Sequence, residues 1–220
     1  MTTARTVKAG LEALLTPQDA LLLLIDHQPQ MAFAVGSHDR QTMLNNVVAL
    51  AKSAKAYGVP TILTTIGATG FAGPLFPELQ AVFPEQQPLD RTTMDAWEDQ
   101  NVTSAVRRTG RKKLVMAGLW TEVCLAFPAI AALGEGFDVY FVADASGGRT
   151  LESHNLAVDR MIQAGAIPLD WLTFLCELQR DHARKETAGR MYQISREHSG
   201  AYAMGLHYHQ ALAGARASKA

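Results

Sequence analysis

The sequence predicts an α/β fold, a three-layer α-β-α sandwich around a central, mostly parallel sheet. Three observations carry that prediction. Short apolar or β-branched runs alternate along the chain with longer segments of helical period. Runs such as LLLLI at 21–25 and LVM at 114–116 are apolar throughout, as strands covered on both faces are. Glycines at 58, 110, 134 and 136 close the helical segments and separate the units.

Taken in order, residues 21–25 are the first strand, ending at Asp26. Residues 43–57 place Leu44, Val47, Val48 and Ala51 on one helical face, and Gly58 stops them. Residues 59–66 (VPTILTTI) are rich in β-branched side chains and form the second strand. The stretch 67–88 is long for a connection and rich in Gly, Pro and Phe, which marks it as a lid or a subunit contact. A helix over 101–108, a strand over 113–117, a helix over 122–133, a strand over 139–142 and a helix over 150–164 follow. Residues from about 180 to 220 are a helical, mixed-charge tail on a single domain spanning 1–220. Strand–helix alternation implies right-handed βαβ units, whose ligands bind beyond the carboxyl ends of the strands. Asp26, the segment after Ile66, the stretch 119–124 and Asp144 all lie at such strand exits.

Composition narrows the function. A formal net charge of −1 gives no pull toward nucleic acid or an anionic membrane. No apolar run approaches the length of a membrane span, and no signal-peptide pattern opens the chain. Two cysteines are too few for a disulfide framework, so a cytoplasmic location with free thiols is expected.

Three residues stand out for chemistry. Asp26 ends an apolar strand, where a carboxylate either anchors a loop or serves as a base in a dry pocket. Cys124 follows a strand exit at an expected helix start, where the helix dipole favours thiolate and backbone N–H groups can hold an oxyanion. Burial is the competing account of any free cysteine, and Cys176, in the apolar run TFLCEL, reads as a core residue. Arg91 precedes Asp95-Ala96-Trp97 and carries no signal by itself.

Together their spacing resembles the isochorismatase-like superfamily of cysteine hydrolases. The motifs are Asp26-His27-Gln28 after the first strand, Gly118-Leu119-Trp120-Thr121-Glu122-Val123-Cys124 after the central one, and Asp144-Ala145 after VYFV. The superfamily usually carries a lysine where this chain has Arg91. The arginine, with EVCLAFPA and GPLFPEL, is similar to a branch of ring-shaped octameric hydrolases. The resemblance implies a Rossmann-like isochorismatase fold and a homo-oligomer, with an octamer expected. It implies Asp26, Arg91 and Cys124 as the catalytic set and a cis peptide between Leu119 and Trp120. It also implies an oxyanion hole formed by the Trp120 and Cys124 amides. Arginine stays protonated, so Arg91 cannot shuttle protons, though it can favour the Cys124 thiolate and pair with Asp26. Met31, Phe33, Phe71 and Trp120, with Gln28, are candidate substrate contacts, and a small, partly apolar substrate is expected. The metal motif of nicotinamidases has no counterpart in 64–74, and His207 and His209 stand without partners in the tail, so neither a metal nor another cofactor is expected.

The expected activity is hydrolysis of an amide-like C–N bond in a small molecule through a Cys124 thioester. A catalytically silent scaffold with the same fold is the alternative, supported by the Lys-to-Arg difference. Vinyl-ether cleavage, as in isochorismatase proper, needs an acid rather than a thiol, and Cys124 argues against it. Redox cycling lacks a second cysteine close in sequence. Pro128 removes the amide that would bond the Cys124 carbonyl, which implies a kink or a late helix start.

Overall fold

The computed structural model describes residues 9–217. Six parallel strands form one sheet in the order β3-β2-β1-β4-β5-β6. They are β1 (Ala20–Ile25), β2 (Thr61–Ile66), β3 (Leu89–Arg91), β4 (Lys113–Gly118), β5 (Asp138–Val142) and β6 (Ile167–Leu169). The helices are α1 (Pro29–Phe33), α2 (Arg40–Ala56), α3 (Pro77–Val82), α4 (Gln100–Arg108), α5 (Ala126–Gly134), α6 (Leu151–Ala164), α7 (Trp171–Gln179), α8 (Lys185–His198) and α9 (Ala201–Ala217).

All six residues of β1 and of β4 are buried, which is why both read as unbroken apolar runs. Leu21, Leu23 and Ile25 of β1, with Leu114 and Met116 of β4, pack into one core with Val102 and Val106 of α4, Ala126, Ala129 and Leu133 of α5, and Met161 of α6. Each fully buried leucine there contributes about 2 kcal/mol relative to exposure. Asp39 caps α2 through Thr42 N, Asp99 caps α4 through Asn101 N and Val102 N, and Thr150 caps α6 through Ser153 N.

Three expectations change. β3 and β6 fall outside the expected strands, because three-residue edge strands are too short to show a period. The helix expected over 122–133 begins at Ala126, after a five-residue π turn, Thr121–Leu125. Pro128 is its third residue, consistent with the late start. Cys176 is exposed rather than in the core. The buried apolar positions of α7 are Trp171, Phe174, Leu175 and Leu178, a helical stripe that leaves Cys176 on the other face.

The chain forms two compact units, one ending at Leu178 and one beginning at Gln179. The second comprises α8 and α9, with Tyr202, Met204, Tyr208 and Leu212 exposed. A cavity of about 740 Å³ within it is lined by Tyr192, Arg196, Met204, His207 and Tyr208 among others. Among the described residues no helix is long and apolar enough to cross a membrane.

Candidate active site

β1, β2, β3 and β4 are adjacent in the sheet, and their carboxyl ends deliver the candidate residues. Ile25 of β1 pairs with Thr64 of β2 and Gly118 of β4, and Ile66 of β2 pairs with Arg91 of β3. Asp26 is the next residue along from Ile25. Its φ of 58° lies in the left-handed region, which non-glycine residues occupy at a cost of about 1–3 kcal/mol and mostly at functional sites. Its backbone N–H donates to Thr64 O.

The side chains of Asp26 and Arg91 are completely buried. The guanidinium donates through Nη1 to Asp26 Oδ1 at 2.6 Å and through Nη2 to Oδ2 at 2.7 Å. Such a bidentate pair fixes the carboxylate plane as well as its charge. Nη1 also donates to Thr65 O and lies 3.3 Å from the Thr64 hydroxyl, which in turn donates to Asp26 Oδ1. Thr64 was missed from sequence, although the strand-exit rule pointed to the end of β2.

Cys124 is the fourth residue of the π turn and is buried. Its thiol donates to Asp26, and the Trp120 backbone N–H donates to the sulfur. The Leu119–Trp120 peptide is cis. The thiol is pushed up to about 12, first by burial and then by the Asp26 charge and hydrogen bond, against the opposing Trp120 N–H and Arg91. This reverses the expectation of a favoured thiolate. Cys124 lies in a π turn rather than in the first turn of an α-helix, and Asp26 and desolvation outweigh the guanidinium, whose charge Asp26 already engages.

Gly118 lets β4 approach this edge. A Cβ there would stand 3.0 Å from Ile25 Cβ and 3.1 Å from Ile25 O.

The other sequence candidates divide. Gln28 is buried and ties two loops together, donating to Ile66 O and Gly73 O and accepting from Ile66 N. Met31 is buried, and its carbonyl accepts from the Trp120 indole N–H at 2.9 Å. Phe33 and Phe71 are 74% and 84% exposed, so in the chain alone they stand on the surface. Asp144 accepts from Trp171 N and Asn46 Nδ2, a structural tie, and burial pushes its carboxyl up to about 6. Asp95 caps the short 3-10 turn Ala96–Glu98 through Trp97 N. His207 and His209 are exposed on α9. Among the described residues no group of three or more His, Cys, Asp or Glu could hold a metal ion.

Comparison with known proteins gives the family of the chain. Residues 20–172 match the isochorismatase domain. The probable hydrolase YcaC of Escherichia coli is 45% identical over 168 residues, covering 76% of this chain and 81% of that protein. The crystal structure of E. coli YcaC, an octameric hydrolase of unknown specificity, superposes with a TM-score of 0.86 at 40% identity, covering 90% of this chain and 97% of that one. YcaC from Pseudomonas aeruginosa, solved with hexane-2,5-diol and covalent acrylamide, gives a TM-score of 0.86 at 38% identity over the same shares.

Proposed function

Because the chain belongs to the isochorismatase family of hydrolases, we propose that it is a cysteine hydrolase cleaving an amide-like C–N bond of a small molecule. The observation that carries this reading is the convergence of a buried thiol, a carboxylate accepting its proton and a guanidinium clamping that carboxylate. In the reaction Asp26 takes the Cys124 proton as the sulfur attacks the substrate carbonyl. The Trp120 and Cys124 amides receive the resulting oxyanion. The C–N bond breaks, Asp26 returns the proton to the leaving nitrogen, and a thioester remains on Cys124. Water then attacks the thioester, giving its proton to Asp26. The acid leaves, and the proton passes back to the thiol. The fixed charge of Arg91 orients Asp26 throughout and exchanges no proton. A thiol that rests protonated suits this scheme, because it is ionised only when a carbonyl is present to accept it.

The test is acrylamide, a small amide that also alkylates thiols. Peptide mass spectrometry after incubation should find an adduct on Cys124 that Cys124→Ser abolishes, and a panel of small carboxamides should be turned over only by the wild type. Adducts confined to exposed Cys176, with no turnover, would leave the second reading, a silent scaffold. That reading draws on the high position of the thiol and on the permanently charged Arg91. The chain is also proposed to form a homo-oligomer, as the octameric E. coli relative does. Native mass spectrometry should then show a multimer, and a monomer would overturn it.

A further inference from the structure

We infer that His154 is a positioning residue for the Cys124 turn, acting through Thr121; this rests on Cys124 being the nucleophile. His154 is buried on α6 together with Ala157 and Met161. Its Nδ1 lies 2.9 Å from Thr121 Oγ1, and the contact is buried. Thr121 is the first residue of the π turn, and its carbonyl accepts from Ala126 N to close that turn around Cys124. Its own N–H donates to Gly147 O at 3.0 Å. A shift at Thr121 would therefore move both Trp120, one residue before it, and Cys124, three residues after it.

The turn needs such a tether. A π turn is a poorly favoured single-turn element. Pro128 removes the amide that would otherwise bond the Cys124 carbonyl from within α5. Support has to come from outside, and α6 supplies it. The surroundings of His154 are built to hold it. His38 packs edge-on against its ring at 4.7 Å and is itself held by Ser37 Oγ at 2.8 Å. Gly148 leaves the room, since a Cβ there would stand 2.9 Å from His154 Cβ and 2.8 Å from Glu122 Oε2. The neighbouring Glu122 is fixed in turn by Arg149, whose N and Nε donate to Oε1 at 3.1 and 3.2 Å. Burial and the nearby His38 push His154 down to about 4 against the opposing Glu122. The ring is thus neutral at physiological pH, with one nitrogen to share with the threonine hydroxyl. Nucleophile and oxyanion donors must hold position to within roughly half an ångström, and this contact sets the turn that bears them.

The experiment follows Cys124 alkylation by acrylamide in the full-length protein, with Cys176 as the internal control thiol and the pH profile recorded for each variant. His154→Leu and Thr121→Val should each slow the Cys124 rate by about 10-fold or more, the scale expected for a misplaced reacting group, while leaving Cys176 unchanged. The double variant should be no slower than either single one, because both remove the same contact. His154→Asn, which offers a polar atom near the Nδ1 position, and Thr121→Ser should recover most of the rate and the wild-type pH profile. Should His154→Leu fail to fold, Thr121→Val, which exchanges only the hydroxyl for a methyl group, carries the test. Cys124 labelling at the wild-type rate in a folded Thr121→Val, or His154→Asn as slow as His154→Leu, would overturn the assignment. A wild-type Cys124 that does not label removes the nucleophile itself, and with it this role.

Discussion

At Asp26 a single carboxylate accepts from both terminal nitrogens of Arg91 and from the Cys124 thiol. Its charge favours the protonated thiol, while in the proposed reaction its unshared electron pairs make it the base that removes the proton. These two effects separate in Asp26→Asn. The apparent pKa of Cys124, followed by thiolate absorbance, should fall from about 12 by about one unit or more, while turnover disappears. Hydrolysis that survives in that variant would remove Asp26 from the mechanism. The same change leaves Arg91 buried without its counter-ion and should cost about 3–5 kcal/mol of stability. Asp26 and Cys124 were picked out by strand exits and motif spacing, and Arg91 by the spacing of the resembled family alone. The direction of the Cys124 shift was not, since it depends on burial and on which partner lies nearer. The exposure of Phe33 and Phe71 was equally hidden, because loop residues carry no period from which a face can be read.

Among the elements, the β1–β4 contact and the π turn decide whether the site forms. Gly118 ends β4 where Ile25 ends β1, and the atoms a methyl group would meet are backbone and Cβ atoms that cannot swing away. Gly118→Ala should therefore lower stability by about 1–3 kcal/mol and slow Cys124 labelling, both measurable on one purified sample by thermal melting and mass spectrometry. A stable protein with unaltered labelling would show that the strands can part without disturbing the turn. The long strands and helices were legible from period and punctuation. The edge strand β3, only three residues long, was not, although it presents Arg91. The π turn was hidden too, because a helical pattern does not reveal which carbonyl each amide reaches.

Across the whole molecule, buried histidines make stability depend on pH. Burial pushes both His27 and His154 from 6.5 down to about 4. A depressed folded-state value means that their contribution is fully present above about 6.5 and is lost as pH falls toward 4. For His27, completely buried with Nε2 against Ala145 O, the loss is about 3 kcal/mol. Asp144, raised to about 6, acts the other way, because its contribution is largest at low pH and is lost as pH rises from about 4 toward 6. Urea midpoints should nevertheless fall between pH 6.5 and 4, since two groups oppose one. His27→Gln should flatten that slope, and an unchanged slope would place the sensitivity elsewhere. The strand order has a different consequence. Asp26, Thr64 and Arg91 lie in the stretch of chain before the exposed turn at Gly110, and Cys124, Glu122 and His154 lie in the stretch after it. The two stretches meet along the β1–β4 seam. The proposed base and its clamp thus sit in one half and the proposed nucleophile in the other, so a nascent chain holds no complete candidate site until the seam has zipped shut.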